Sequence, residues 1–378
     1  MTLHESLISP TANPELEKAL RERLARRSAI AGGFGQLEEL ALRLALIQAT
    51  ETPRFRDPVL ALFAADHGLA VEGVGAQWGR STSDQAMLAL QSRLPSAVLA
   101  RLHGLALQVV DCGLATDLAP HPKLLLRKVA HGTRNARFGA AMTREQLHAA
   151  LRVGMEVTDA QSGNVLACAG MGQGANESAA LLLARLDAQH LKDLLSASSQ
   201  HLVEVLELVL SRHREAVDAM DALAAFGGYE IAVMAGAMLV AASKRMLILI
   251  DGLPACAALR VAASIAPPVT DYVVFCRSNH EPGMDLALAG FKAMALLELG
   301  MDCADGTGAA IAWPLVRSAA ALLSDVHEIP AAPIQPETDP SALDSALQPQ
   351  QTTTPMGLDE LPDSRLGATT RPSSPLLE

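Results

Sequence analysis

Apolar residues along the chain come in two textures. Segments 14–28 and 36–48 (QLEELALRLALIQ) place them at the spacing of an amphipathic helix, and a glycine-rich turn, AGGFG, lies between the two. From residue 57 onward, short apolar runs appear: VLALFAADHG (59–68), LALQVVDCG (105–113), NVLACAGMG (164–172), RMLILIDG (245–252) and DYVVFCRS (271–278). Each ends in glycine or polar residues, as a buried strand running into a loop does. Helical stretches at 84–103, 143–160, 176–188, 200–224 and 228–243 separate the runs. Strand, loop and helix in this order predict an α/β fold: a doubly wound, mostly parallel sheet with helices on both faces. Such sheets bind ligands beyond the carboxyl ends of their strands, where these Asp and Gly residues fall.

Composition narrows the picture. The 378 residues are 50% hydrophobic, enough for a sizeable core, yet only 3% aromatic. A formal charge of −11 argues against a nucleic-acid partner, whose phosphates need clustered cations. Cys112, Cys168, Cys256, Cys276 and Cys303 are widely spaced and odd in number, and read as buried thiols in a reducing compartment, not as a disulfide frame or a metal site. The N-terminus lacks a signal-peptide pattern, and the apolar region 231–250 is broken by Lys244 and Arg245. A cytoplasmic protein without a membrane partner is expected. Residues 329–378 hold nine of the 21 prolines and seven acidic against two basic residues, which predicts a disordered acidic tail.

Candidate chemistry sits at the strand ends. Gly172-Gln173-Gly174 precedes the 176–188 helix and lets backbone and helix-terminal amides approach an anion, although a strand–helix turn needs glycine for steric reasons as well. Asp66-His67-Gly68 offers an orienting carboxylate and a proton carrier, or simply a loop cap with a packed imidazole. Asp111, Asp251 and Asp271 are open to the same two readings. Ser278, Asn279, His280 and Glu281 form a polar cluster ahead of a helix at 283–298, and Asp305-Gly306-Thr307-Gly308 precedes the helical AAIAWPLVRSAAALL. Neither G-x-G-x-x-G, a P-loop, H-x-x-x-H nor G-x-S-x-G occurs, so dinucleotide, nucleoside-triphosphate, metallohydrolase and serine-hydrolase readings lack support.

Taken in order, the segments AGGFGQLEELALRLALIQ, FAADHGLAVEGVGA, VVDCGL, GTRNARFGAAMTREQ, GMGQGANESAA, FGGYEIAVMAGA, LIDGLPACAA, EPGMDLAL and DGTGAAIAWPLVRSAAALL resemble one family. It is the nicotinate-nucleotide:dimethylbenzimidazole phosphoribosyltransferase family of cobalamin lower-ligand synthesis. The likeness runs from about residue 30 to 326. It implies N-terminal helices over 1–56, an α/β core over 57–300 and a C-terminal helix over 301–328, with the helices of both ends forming a small second domain. It also implies a homodimer and no cofactor or metal. The implied reaction moves the phosphoribosyl group of nicotinate mononucleotide to a benzimidazole nitrogen with inversion, giving α-ribazole phosphate and nicotinate. The pyridinium is already a good leaving group, so the protein supplies a phosphate cradle, a flat apolar slot and a proton-accepting carboxylate.

Carried over residue by residue, the resemblance implies Asp305 as catalytic base. It implies substrate contacts at Asp66, His67, Gln85, Met171, Gly172, Gly174, Gly227, Gly228, Asp251, Ser278, Asn279, Gly306 and Gly308. Asp84 is admitted beside Gln85, and Trp78 of the same loop suits a planar ring or a surface packing role. The chain departs from the family's pattern at the site. Asp305 stands where the family has Glu, and Gly170 stands at the family's second acid. The glycine-free DLLSASSQHLVEV (193–205) replaces a Gly-Arg-Gly-Thr-Gly run, and Arg277-Ser278-Asn279-His280-Glu281 replaces His-Arg-Ser-Ala-Glu. Three readings follow: the same reaction with Asp305 as base, a transferase with another base or donor, or a non-catalytic nucleotide- or base-binding relative.

Overall fold

The computed structural model describes residues 8–74, 79–195, 199–278, 282–303 and 305–326. Trp78, Asn279 and the acidic segment 329–378 lie outside them. Two helices open the chain, α1 (Pro14–Ala31) and α2 (Gln36–Gln48), the first capped by Asn13, whose side chain accepts from the Leu16 amide. Then come β1 (Val59–Ala65), α3 (Thr82–Leu90), α4 (Pro95–His103), β2 (Ala106–Gly113), β3 (Leu124–Leu126), α5 (Arg144–Asp159) and β4 (Val165–Met171). The next stretch is helical: α6 (Ala175–Leu186), α7 (Leu191–Leu194), α8 (Gln200–Arg212), α9 (Ala219–Phe226) and α10 (Tyr229–Ser243). The chain closes with β5 (Leu247–Asp251), α11 (Leu253–Ile265), β6 (Val273–Phe275), β7 (Arg277–Ser278), α12 (Pro282–Gly290), β8 (Leu297–Glu298) and α13 (Thr307–Ser324).

Six strands form one sheet in the order β3-β2-β1-β4-β5-β6, every pair parallel. Nearly every residue of β1, β4 and β5 is buried, so both faces of the sheet are covered, as a parallel sheet requires. The chain runs outward through β1, β2 and β3, then returns to β4 and runs the other way. The strand order therefore reverses between β1 and β4, and the crevice beyond their carboxyl ends is where such a fold takes a ligand. β7 and β8 make a separate parallel pair, and α2 packs against α13.

Several elements differ from the sequence expectation for identifiable reasons. The helical stretch 84–103 is two helices because Pro95, which suits a first helical position, starts α4 afresh. The stretch 200–224 is also two, because the Asp218 carboxylate accepts from the Met220 and Asp221 amides and caps α9. The helix expected over 283–298 ends at Gly290, and the chain beyond supplies β8. β3, β7 and β8 are each two or three residues long: β3 is the apolar Leu124–Leu126, too short to stand out as a strand, and β7 and β8 carry polar residues.

Helix α10 is apolar all round and buried over nearly its whole length. It crosses α5 at close range through small residues: a Cβ at Gly154 would lie 1.9 Å from the Val233 carbonyl oxygen, and one at Gly236 would lie 2.1 Å from that of Leu151. Gly154→Ala is expected to push the two helices apart and cost roughly 1–3 kcal/mol, read as a lower urea midpoint. An unchanged midpoint would show that the crossing can relax. Among the described residues no helix is long and apolar enough to cross a membrane.

Candidate active site

At the end of β1, Asp66 joins strands to loops. Its Oδ2 accepts from the Ala115 amide at 2.7 Å, its amide donates to the Gly113 carbonyl, and its own carbonyl accepts from Thr133. His67 follows, buried, with Nε2 2.9 Å from Oε1 of Glu230 in the first turn of α10. The glycines read as a ligand cradle pack around this imidazole. A Cβ on Gly174, which has φ +91°, would come within 3.1 Å of His67 Cβ, and one on Gly228 would come within 2.4 Å of its Cε1. A Cβ on Gly172 would fall 2.1 Å from the Ala65 carbonyl oxygen, so this turn needs glycine for close backbone approach. Gly227 packs on Leu223 in the same way.

Burial alone lowers the proton affinity of His67, but the charge and hydrogen bond of Glu230, with Glu177 and Asp66 nearby, more than offset it, so its pKa is raised. The stabilisation from this pair is therefore fully present below the unfolded value of about 6.5 and is lost as pH rises through the higher folded value. The stability gap between wild type and His67→Gln is expected to shrink steadily as urea titrations move from about pH 6 to about pH 9. A gap independent of pH would show that the imidazole keeps its unfolded proton affinity in the fold, and a gap that grows with pH would show that it is held neutral there.

Beside the β1 and β4 ends lies a pocket of about 270 Å³. Leu88, Leu94 and Pro95 give it apolar walls, Gly170 and Gly172 form the strand edge, and Gln85, Glu177 and Asp305 supply polar groups. Its size lies just below the roughly 300–1,000 Å³ usual for small-molecule sites, which suits a single small ring. Arg80, exposed, also lines it. Gln173 holds this side together: its amide donates to Thr82 Oγ1 at 3.1 Å and its Nε2 donates to the Arg80 carbonyl at 3.1 Å. Of the two candidates on α3, Gln85 lines the pocket, whereas Asp84 is exposed and accepts from Ser81 Oγ at 2.8 Å. Met171, out of phase with Gly170 and Gly172 along β4, is buried and is not among the pocket walls.

Asp305 is half-buried at the start of α13. Its Oδ1 accepts from the Thr307 amide at 3.1 Å and from Thr307 Oγ1 at 2.6 Å, and its Oδ2 accepts from the Ser96 amide of α4 at 3.4 Å. The carboxylate thus bridges the N-terminal ends of α13 and α4. Asp251, expected at the ligand, is fully buried and turned to Arg277 instead: Arg277 Nε donates to its Oδ1 at 2.5 Å, and the Ala309 amide donates to its Oδ2 at 2.9 Å. Arg277 also donates to the Met301 carbonyl at 2.8 Å and to the Cys303 carbonyl. Gly308 makes room for this pair, since a Cβ there would meet Arg277 Cδ at 2.5 Å and Asp251 Oδ1 at 2.7 Å. Gly306, at φ +83°, caps α13 over Leu60 and Leu62, and Ser278 Oγ donates to Asp285 Oδ1 at 2.6 Å. All five cysteines are free, four buried and Cys303 half-buried in the pocket wall. Its thiol is pushed up by burial and then by the charge of Asp305.

Glu177, Arg80 and the positioning role of Gln173 are absent from the sequence expectation. The signal for Glu177 was present, an acid in an otherwise small-residue segment (ANESAA) one turn into a helix after a strand-end glycine loop.

A parallel doubly wound sheet, a ring-sized pocket at its switch point and a carboxylate on the pocket wall define a small-molecule enzyme of the α/β class. A family model described as "Phosphoribosyltransferase" matches residues 9–334. The nicotinate-nucleotide–dimethylbenzimidazole phosphoribosyltransferase of Cupriavidus taiwanensis is 41% identical, with 84% of this chain and 94% of the relative covered. The enzyme of the same name from Variovorax paradoxus is also 41% identical, over 86% of this chain and 95% of its own. Among solved structures, that of the Thermus thermophilus enzyme superposes with a TM-score of 0.78 at 31% identity, over 82% of this chain and 96% of its own. The chain belongs to the nicotinate-nucleotide–dimethylbenzimidazole phosphoribosyltransferase family.

Proposed function

We propose that the protein transfers the phosphoribosyl group of nicotinate mononucleotide to dimethylbenzimidazole, with Asp305 as the proton acceptor, in the synthesis of the cobalamin lower ligand. The observation that carries this reading is the placement of Asp305 and Gln85 on one small, largely apolar pocket at the switch point of the sheet. The apolar walls hold a flat ring, and Gln85 gives its nitrogens an in-plane hydrogen-bond partner. The free nitrogen lone pair of the ring attacks C1′ of the ribose. The bond from C1′ to the pyridinium nitrogen breaks, and its electron pair stays with departing nicotinate. The acceptor ring, now cationic, loses its remaining N–H proton to the Asp305 carboxylate. Attack opposite the leaving group inverts the anomeric carbon and gives the α-nucleotide. Most of the rate comes from holding ring and ribose in line, because the leaving group needs no further activation.

The remaining assignments form part of the same proposal. The N-terminal helices and α13 make the smaller domain, the enzyme works in the cytoplasm, and two copies associate. Light scattering on the purified chain tests the last point, with a single monomer mass counting against it. The reaction is tested by incubating the protein with nicotinate mononucleotide and dimethylbenzimidazole. Mass spectrometry should show α-ribazole phosphate and nicotinate in equal amounts. Neither product from a folded protein would redirect the assignment to another base or donor, or to a binding role.

A further inference from the structure

A second acidic side chain stands in the pocket wall with Asp305. Glu177, in the first turn of α6, is 4% exposed and lines the same pocket. Its charge reaches His67, where it helps to raise that imidazole's proton affinity. Glu177 is thus a buried carboxylate that borders a largely apolar pocket at a strand end, the setting in which functional acids gather. The neighbouring wall position on β4 cannot supply the charge instead. A Cβ at Gly170 would lie 2.7 Å from Pro254 Cβ and 3.1 Å from Met234 Cε, so no side chain fits there without displacing the α11 and α10 contacts. Negative charge on this side of the pocket therefore comes from α6. The charged groups on the described wall are Glu177, Asp305 and Arg80, two carboxylates against one exposed cation.

We propose that Glu177 is a specificity-determining residue of this pocket, selecting acceptor rings that become cationic when they bond to C1′ over acceptors that end neutral. The inference rests on the phosphoribosyl-transfer reading above. When a ring nitrogen attacks, its lone pair forms the new bond to C1′ and the old pair leaves with nicotinate. The ring keeps its N–H and carries a positive charge until that proton passes to Asp305. A phenol behaves differently: its O–H proton leaves as the C–O bond forms, and the product ring is neutral. A second buried carboxylate lowers the energy of the first, cationic species and has little to act on in the other.

The test separates charge recognition from packing and from turnover. Calorimetry measures the binding of neutral 1-methylbenzimidazole and of the 1,3-dimethylbenzimidazolium cation to wild type, Glu177→Gln and Glu177→Asp, with thermal midpoints as the folding control. Wild type is expected to favour the cation. Glu177→Gln should weaken cation binding by about tenfold or more and leave the neutral ring nearly unchanged, while Glu177→Asp should keep the preference. In turnover, the preference for dimethylbenzimidazole over a phenol in kcat/KM should fall in Glu177→Gln alone. Equal weakening of both rings, or cation binding in Glu177→Gln as tight as in wild type, overturns the proposal. A wild type that binds the neutral ring without favouring the cation overturns it too, yet leaves the transferase reading standing. A folded wild type that binds neither ring removes both.

Discussion

Asp305→Asn is expected to lower kcat for α-ribazole phosphate formation by about 10²–10⁴-fold, the usual range for loss of a positioned general base. The substitution keeps the shape of the side chain. The asparagine oxygen can still accept from the Thr307 amide and hydroxyl, the two contacts that hold Oδ1. The new amide group would face the Ser96 amide, whose 3.4 Å contact to Oδ2 is already long, so the stability cost should stay near ~1 kcal/mol. Activity and folding are thereby separated: the thermal midpoint should barely move while turnover collapses. Asp305→Glu, which keeps the charge on a longer stem, should retain far more turnover than the asparagine variant. It should remain below wild type, because a misplacement on the order of 1 Å can cost about a hundredfold in rate. Wild-type turnover in Asp305→Asn would take Asp305 off the proton path.

The sheet was legible in the sequence because parallel strands buried on both faces read as nearly continuous apolar runs: β1, β4 and β5 are such runs, and β2 is one broken by Gln108. Their Asp and Gly endings gather at one edge of the sheet, as loops after parallel strands do, and Gly170 and Gly172 of that edge line the pocket. Less legible was which polar group at a strand end faces the ligand and which faces the protein. Asp66, Asp251 and Ser278 look alike in the sequence, yet Asp66 holds the Ala115 amide, Asp251 holds Arg277, and Ser278 donates to Asp285. Each partner lies on a different element, and local sequence does not encode that pairing. The glycines carry a similar ambiguity, since Gly174 and Gly228 leave room for the His67 imidazole. Glu177 escaped notice because an acid in a first helical turn is ordinary capping chemistry, and only the pocket beside it makes it unusual.

Arg277→Met should destabilise the fold by about 3–5 kcal/mol, the cost of leaving one partner of a buried ion pair without the other. Both side chains are almost wholly inaccessible, and burial already pushes the Asp251 carboxyl up, more than Arg277 and the Ala309 amide pull it back. Without the guanidinium, Asp251 would take a proton rather than stay charged, and the Met301 and Cys303 carbonyls would lose their donor. Urea titration should show a lower midpoint at unchanged slope, the mark of lost stability without a change in the surface exposed. Asp251→Asn with Arg277→Met should cost less than the two single changes added together, because neither charge is then left unpaired. The effect should also reach the chemistry. Arg277 grips the chain at residues 301 and 303, and Asp251 grips it again at the amide of Ala309, so the pair clamps both sides of Asp305. In buffer without denaturant, where the variant is still folded, kcat should fall more than KM rises, since the loosened group is the proposed base and the walls of the ring pocket stay in place. An Arg277→Met enzyme with wild-type midpoint and wild-type kcat would show that the α13 N-terminus holds Asp305 unaided, and that this buried pair is dispensable to both fold and site.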